Sequence, residues 1–538
     1  MPDGESPSTT ARVRGPSALS RYLTVGVLVL LTALLVEVLL EGWAVNVLGH
    51  SSGQHLMNGD EIITPASWPK TLKSGLYIAL LLLTVAKLTV DRRWSIVRTK
   101  ADLAIVVAGV VLALAGLLGG TKPVVIGEAL FVYFRGAIAF YAVRALNPSW
   151  RSVRRLLWLV GGFVAVNAAY GIVQIFAGIP SYTVLGWADL TWARTGRVHA
   201  LFNHPNDLGH VTGLVVLGLL AWFVTRPKVS VWWWLLFGLL VTAMGAAQSR
   251  ESTIGVVAGT ILIALLRRAY TRRVLVALGL ILVMAAAPLL YSSSNRAEWA
   301  RRLEGVTNAV ETPSNVVAPS AGATPTATPS CAPDATDCAS NSSTSNPGRE
   351  IRVLYAQEGL HLWKQKPVLG YGIGQFGGIV AYRNDPNWNT SSKFGPDGFD
   401  KFGFRAKTVD SFWLHILVEA GALGVIAYVG WMILLGTPFL GLTARLRRRG
   451  EGAAHPAFYW APAAIVFGGL IGLLSPSLED PLFPPLMFAI VGVAWALKQR
   501  GDLRAPAAVA GPATDGDATA PTAATFDSEL AQESAGQR

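Results

Sequence analysis

The chain of 538 residues carries too few charged side chains to be a set of soluble domains. Charged residues make up 14% and hydrophobic residues 52%, whereas roughly 25% of residues are charged in a typical soluble protein. Apolar runs of about 18–23 residues recur along most of the chain, and each is long enough to cross a bilayer as a helix. This composition excludes a soluble enzyme, and two cysteines are too few for a secreted disulfide scaffold.

The net charge of +12 would be compatible with nucleic-acid binding if the basic residues formed a patch. They concentrate instead in alternate short loops between the apolar runs, which is the pattern of a membrane topology signal. We therefore expect no nucleic-acid partner.

The apolar runs predict an all-α polytopic integral membrane protein with about twelve transmembrane helices. The predicted spans lie at about 22–42, 74–90, 102–119, 124–146, 156–177, 208–225, 231–248, 253–267, 274–291, 411–435, 457–475 and 481–498. Because the basic loops alternate along the whole chain, the positive-inside rule predicts an even number of spans and two cytoplasmic termini. The first run is too long for the apolar part of a signal peptide, so we expect it to be a retained span.

These spans divide the chain into five predicted segments. They are a cytoplasmic N-terminal segment (1–21), spans one to nine (22–291), a large extracytoplasmic loop (292–410), spans ten to twelve (411–498) and a disordered cytoplasmic tail (499–538). Within the loop, 306–347 is of low complexity, whereas 349–410 is expected to be ordered. Cys331 and Cys338 lie in the low-complexity part and form either a small-loop disulfide or two unpaired thiols.

The first of four outward-facing polar segments, GRVHALFNHPNDLGH, lies at the entry to span six. Its residues His204 and Asn206 would either hold a sugar or a phosphate at a helix N-terminus or only cap the helix. Since His199, His204 and His210 lack the spacing of a zinc pair, we expect no metal.

The second segment, AAQSREST, places Arg250 on the side of the membrane that is otherwise poor in basic residues. Its guanidinium group would either clamp a lipid phosphate or extend to the interface beside Glu251. In the third segment, Arg352 begins a predicted helix whose apolar face includes Leu354, Leu360 and Trp363. The glycine-rich stretch after that helix is predicted to be a turn and not a dinucleotide site.

The fourth segment, KTVDSFWLHILVEAGALG, places Asp410 directly before span ten. Asp410 would either cap the helix or accept a proton from a sugar hydroxyl. Glu419, within the span, is expected to face either the interior of the bundle or a cavity. Glu128 and Arg135 are two turns apart on another span, and they either pair across helices or line a cavity.

Together the four segments resemble the O-antigen ligase/polymerase family of bacterial membrane glycosyltransferases, over about 160–435. FNHPNDLG is similar to the family's F-x-x-P-N-x-(L/A) segment, and QSREST to its S-R-G turn. RVLYAQEGLHLWKQKPVLGYGIGQF is similar to its R-x(3)-W…P-x-x-G-x-G-x-x-x-F stretch, with Ala356 in place of Trp. DSFWLHILVEAGALG is similar to its H-(N/S/Q)-x(9)-G-x-x-G segment, although Asp410 stands where the ligases have a histidine.

The resemblance implies a GT-C-like fold and a metal-independent reaction without a cofactor. The donor would be a glycan on undecaprenyl diphosphate, and the acceptor a glycan or a lipid-linked glycan. Arg250 and Arg352 match the family's phosphate-binding arginines, and Asp410 would activate the acceptor hydroxyl in place of the histidine. Asn206 and His204 would shape the substrate site, and Asp480 aligns loosely with a late family aspartate. The missing histidine favours a polymerase over a ligase.

The expected location is the plasma (inner) membrane, with membrane lipid around the spans and the reaction on the outer face. A flippase of lipid-linked oligosaccharide is the alternative function, but the sequence has no internal repeat of the kind that transporters use. A structural membrane scaffold would leave Arg250 and the 349–376 segment without a role.

Overall fold

The computed structural model describes residues 17–291, 300, 304 and 351–504, with gaps at 49–50, 56–60, 65–67, 188, 397, 400–407 and 451. The low-complexity segment 306–347, with Cys331 and Cys338, and most of the predicted tail lie outside the described residues.

Helices account for most of the described chain. They are α1 (Ala18–Trp43), α2 (Trp68–Val90), α3 (Lys100–Leu118), α4 (Pro123–Leu146), α5 (Trp150–Ala177), α6 (Ile179–Val184), α7 (Thr191–Arg194), α8 (Pro205–Phe223), α9 (Val231–Ala246), α10 (Arg250–Leu266), α11 (Thr271–Tyr291), α12 (Ile351–Gln365), α13 (Ile379–Asn384), α14 (Phe412–Arg448), α15 (Ala457–Leu474) and α16 (Phe483–Gln499). A short antiparallel hairpin, β1 (Ser51–His55) and β2 (Glu61–Thr64), which the sequence did not lead us to expect, follows α1.

Within the described residues, nine helices are long and apolar enough to cross a membrane, namely α1 to α5, α8, α11, α14 and α15. The chain is therefore a multi-pass membrane protein. Each of the twelve predicted spans coincides with one helix, but α9, α10 and α16 have only 16 or 17 residues. The number of twelve crossings accordingly stays a prediction.

Helix α14 departs most from its predicted bounds. The predicted end was near residue 435, but the helix continues through Pro438 to Arg448 because its apolar pattern persists, with Phe439 and Leu446 buried. Near its start the helix is interrupted at Gly421, whose backbone has φ 64° and ψ −166°. A side chain is strongly disfavoured in that conformation, and glycine adopts it readily.

The helices pack around one large apolar core. Helix α4 lies against α16, α3 against α14, and α10 against α15. Close approach of α4 and α16 depends on small residues, since a Cβ atom on Gly136 would lie 2.6 Å from the Phe488 ring. This packing fixes the ends of the helices that carry the polar segments.

A second, smaller core lies beneath the segment that follows α12 and includes Phe376, Trp388 and Phe399. Helix α12 itself packs against α14 through Gly359, where a Cβ atom would lie 2.6 Å from a Leu414 methyl group. The predicted helix is confirmed, but its predicted apolar face was partly wrong. Leu360 is 42% exposed, because the contact with α14 turns the Leu354–Leu362 side of the helix inward.

Candidate functional site

The first turns of α8 and α10 lie against each other, which joins the first two polar segments. A Cβ atom on Gly209 would lie 2.7 Å from both Ser249 Cβ and Ser252 Oγ. His210 Nε2, one turn into α8, lies 3.8 Å from Oε1 of Glu251 in the first turn of α10, and both side chains are 3% exposed. We call the first polar segment, residues 196–210, the HPN segment. Because Gly209 has no side chain, this segment can contact the helix that begins at Arg250.

The third and fourth segments meet in an ion pair. Arg352, near the start of α12, donates from Nε to Asp410 Oδ2 at 3.2 Å, and its Nη2 lies 3.1 Å from the same oxygen. The side chains are 29% and 41% exposed, so the pair is open to a ligand. Glu251 lies within electrostatic reach of Arg352 and Asp410, which places all four segments at one site.

Asp410 is not the N-cap of α14, although capping was one of its two predicted roles. Ser411 occupies that position, and its side-chain oxygen accepts a hydrogen bond from Leu414 N at 3.2 Å. Since Ser411 satisfies the first turn, the Asp410 carboxylate is left to interact with Arg352.

The HPN segment supplies a second arginine that the sequence analysis did not select. Arg197 stacks 5.1 Å above the Trp192 ring and donates from Nη2 to Asn206 Oδ1 at 2.8 Å. Asn206 is thereby held by an arginine, and its role as a substrate contact stays a prediction. We call Arg197, Asn206, His204, Arg352 and Asp410 the arginine cluster.

His204 is the N-cap of α8, where its Nδ1 accepts a hydrogen bond from Asn206 N at 3.0 Å. Burial lowers the pKa of His204 to about 3, and the positive charge of Arg197 contributes in the same direction, with smaller effects from His210, His199 and Arg352. An imidazole held neutral in this way can accept that hydrogen bond at ordinary pH.

The three histidines of this segment do not converge. His199 Nδ1 lies 2.6 Å from the Phe202 carbonyl oxygen, whereas His204 caps α8 and His210 faces Glu251. Each ring therefore has a separate local environment.

Arg250 is the first residue of α10 and is half-buried. Its position places it next to Glu251 in the first turn of the helix, where the backbone N–H groups also favour an anion. Arg250 is thus near the other three segments through its helix, and its contact with a substrate phosphate stays a prediction.

The glycine turn after α12 is bonded to the break in α14. Tyr371 N and Gly372 N donate to the carbonyl oxygens of Val418 and Glu419 at 2.9 and 2.8 Å, and Ala422 N donates to Pro367 O at 2.8 Å. The helix break at Gly421 leaves these backbone groups available to the turn. The predicted turn is confirmed, and it attaches α12 to the helix that follows Asp410.

A polar cavity of about 500 Å³ adjoins the arginine cluster. It is lined by Asn203 and Asp207 of the HPN segment and by Thr408 from the stretch before Asp410. The charged side chains that line it are Lys70, Lys73, Arg135, Arg383, Glu41, Glu128, Asp207, Glu479 and Asp480. A shallower depression of about 660 Å³ near Trp234 and Arg273 is lined mainly by apolar atoms and lies away from these groups.

Glu128 fits both alternatives, because it pairs with Arg383 of α13 and lines the polar cavity. Arg135 fits only the second, because it lines the cavity but donates to the backbone oxygen of Glu479 in the loop before α16. Glu419 faces the bundle interior as predicted, where it is fully buried and accepts a hydrogen bond from Tyr133.

Sequence analysis missed most of the polar cavity. Lys73 pairs with Glu41 between α2 and α1, and His415 pairs with Glu479 between α14 and the loop before α16. Glu41 lies at the end of the first apolar run of the sequence. The available signal was the presence of such charges in apolar runs, but nothing in their spacing indicated the partners.

Residues 234–429 match the family model described as O-antigen ligase. The matched region includes α10 with Arg250, α12 with Arg352, Asp410 and the break in α14. A search of curated proteins finds no match. The resemblance seen in the motifs is confirmed, and the protein carries an O-antigen ligase family domain at residues 234–429.

Proposed function

We propose that the protein is a plasma-membrane glycosyltransferase that polymerises or ligates glycans carried on undecaprenyl diphosphate, at the outer face of the membrane. The observation that supports this most directly is the partly exposed Arg352–Asp410 pair at the meeting point of four distant segments. It brings a guanidinium group and a carboxylate together in the domain matched by the O-antigen ligase model.

The arginines would hold the diphosphate of the donor. The planar guanidinium group of Arg352 can bind two phosphate oxygens at once, and Arg250 and Arg197 lie on neighbouring elements. Such charges stabilise the negative charge that develops on a departing diphosphate. Because the arginines supply positive charge, the proposed reaction uses no metal or cofactor.

Asp410 would act as the general base. Diphosphate competes for Arg352 and releases the Asp410 carboxylate, which then takes the proton of an acceptor hydroxyl. The acceptor oxygen forms a bond to the anomeric carbon of the donor sugar as the bond from that carbon to the diphosphate oxygen breaks. Undecaprenyl diphosphate leaves with the electron pair. His204 and Asn206 shape the site by holding the first turn of α8 and Arg197.

The test is elongation of an undecaprenyl-diphosphate-linked repeat unit by purified protein. Asp410→Asn should reduce product formation by about 100-fold or more, as expected for loss of a general base. Asp502→Asn is a matched control, because Asp502 also forms an exposed pair with an arginine, Arg500, at 3.2 Å.

Equal elongation by Asp410→Asn and wild type would contradict the role of Asp410 as a base. Failure of wild type with native repeat units and with added acceptor glycans would contradict the transferase itself. Transport of the lipid-linked glycan in vesicles without elongation would favour the flippase.

A further inference from the structure

The arginine cluster and the polar cavity differ in the ligand that their charges favour. In the cavity, five carboxyl groups face four basic side chains and His415, and three of the carboxyl groups are already paired, namely Glu41 with Lys73, Glu128 with Arg383 and Glu479 with His415. A diphosphate entering this cavity would therefore meet no excess of positive charge to offset its own negative charge. The cavity therefore favours an uncharged ligand.

A wall that contains both carboxylates and cations suits a ligand whose groups both donate and accept hydrogen bonds. A sugar hydroxyl does both, since it can donate to Asp207 or Asp480 and accept from Lys73 or Arg135. Asp480 already accepts from Leu482 N at 2.7 Å with one oxygen. Its second oxygen can form a hydrogen bond with a ligand.

Arg135 adds a cation to the wall of the cavity. It is 8% exposed and is held in place because it donates to the backbone oxygen of Glu479. A guanidinium group carries five N–H donors, so the donors that face the cavity can serve a sugar oxygen.

The size and position of the cavity also fit a sugar. Its volume of about 500 Å³ lies within the range of about 300–1,000 Å³ for small-molecule sites. Asp207 lies within electrostatic reach of Glu251, near the arginine cluster, and of Glu41 and Asp480 in the cavity. A ligand in the cavity would thus be adjacent to a diphosphate held by Arg352.

We propose that the polar cavity binds the uncharged, hydroxyl-bearing sugar end of the acceptor glycan, separately from the arginine cluster that binds the donor diphosphate. This inference rests on the proposed function and adds a second ligand site to it. Lys73, Glu41 and Arg135 recognise sugar hydroxyls, and Asp207 and Asp480 line the side toward the donor.

Binding of two probes to the purified full-length protein tests whether the sugar site and the diphosphate site are separate. The first probe is the repeat-unit oligosaccharide released by mild acid from the host's own lipid-linked pool, followed by saturation-transfer NMR. The second is undecaprenyl diphosphate without sugar. Ser74→Trp fills the cavity without removing a charge, whereas Gly75→Trp is the matched control, since a Cβ atom there meets nothing within 4 Å.

We expect Ser74→Trp to lose the oligosaccharide signal and to retain undecaprenyl diphosphate, and Gly75→Trp to retain both. Arg352→Ala should retain the oligosaccharide signal and lose binding of undecaprenyl diphosphate. Asp480→Asn keeps the oxygen that accepts from Leu482 N, and it should weaken oligosaccharide binding by about tenfold. This variant tests the cavity even if Ser74→Trp does not fold.

An oligosaccharide signal that is absent from wild type, or unchanged in both Ser74→Trp and Asp480→Asn, would overturn the inference. If wild type still elongates lipid-linked glycan in that case, the proposed function stands and only the cavity assignment fails. A wild type that binds the oligosaccharide but transfers no glycan would instead contradict the proposed function.

Discussion

Two arginine–aspartate pairs in this protein have the same chemistry and opposite surroundings. Arg144 and Asp102 join α4 to the start of α3, with side chains 0% and 8% exposed. Arg144 also lies 4.9 Å from the centres of the Phe140 and Trp495 rings. Arg352 and Asp410 have side chains that are 29% and 41% exposed and join α12 to the stretch before α14.

The comparison shows how burial separates a structural pair from one that can bind a ligand. Asp102 also takes part in a capping box with Thr99, so its oxygens are used within the protein. The Arg352–Asp410 pair gains little stability because water competes for it, and it can exchange its partner for a phosphate at little cost. Four predictions test this distinction.

The largest effect is expected on stability from Arg144→Ala. The variant leaves Asp102 buried without its cation, which costs about 3–5 kcal/mol in the free energy of unfolding. Thermal unfolding of the purified protein in detergent measures the loss. Arg352→Ala serves as the comparison and should change stability by less than about 1 kcal/mol. Similar losses from the two variants would remove the distinction.

Arg352→Ala should instead reduce glycan elongation by about 100- to 1,000-fold, because a preorganised cation next to the leaving group is lost. Arg500→Ala is the control, since Arg500 belongs to an exposed pair of similar accessibility. The rate of product formation from lipid-linked repeat units checks the prediction. Normal polymer from Arg352→Ala would refute the role of Arg352 in holding diphosphate.

Arg352→Lys should have a smaller effect on the same rate. Lysine keeps the charge and loses the planar fork, which removes about one charge-assisted hydrogen bond of about 1.5 kcal/mol, or about a tenfold loss. Full activity in this variant would mean that a point charge suffices at this position.

The last prediction concerns pH and His204. Its pKa is about 3 in the folded protein against a reference value of 6.5, so between these values only the unfolded chain binds the proton. Stability should therefore fall as pH decreases from 6.5, by at most about 1.4 kcal/mol per pH unit. His204→Gln should flatten this slope in thermal unfolding between pH 4.5 and 6.5, whereas His361→Gln, at an exposed position, should leave it unchanged. An equal slope in His204→Gln and wild type would contradict the prediction.

The helices could largely be predicted from the sequence because apolar run length and flanking charge are local properties. The helix at Arg352 was also predictable, but its orientation was not, since Gly359 and Leu414 are far apart in the chain. Asp410 was also assigned a possible capping role that Ser411 performs. Aspartate and serine are almost equally favoured at an N-cap, so the sequence alone does not tell which of the neighbours Asp410 and Ser411 caps the helix.

The candidate site was predictable where its residues belong to a recognisable segment and not where they depend on packing. Arg352 and Asp410 were selected from their motifs, and the structure brings them together. Arg197 was not selected, because an arginine in a polar loop has no local mark of function. The Lys73–Glu41 pair depends on the register of α1 against α2, which the hydrophobic pattern alone does not determine.

The break at Gly421 has a mechanical consequence. The turn at 367–372 is bonded on both sides of this break, to Val418 and Glu419 before it and to Ala422 after it. The turn therefore bridges the break, and it holds the end of α12 against the first turns of α14. Arg352 and Asp410 lie near the other ends of these two segments, so a brace far from the ion pair keeps the spacing between the arginine and the aspartate.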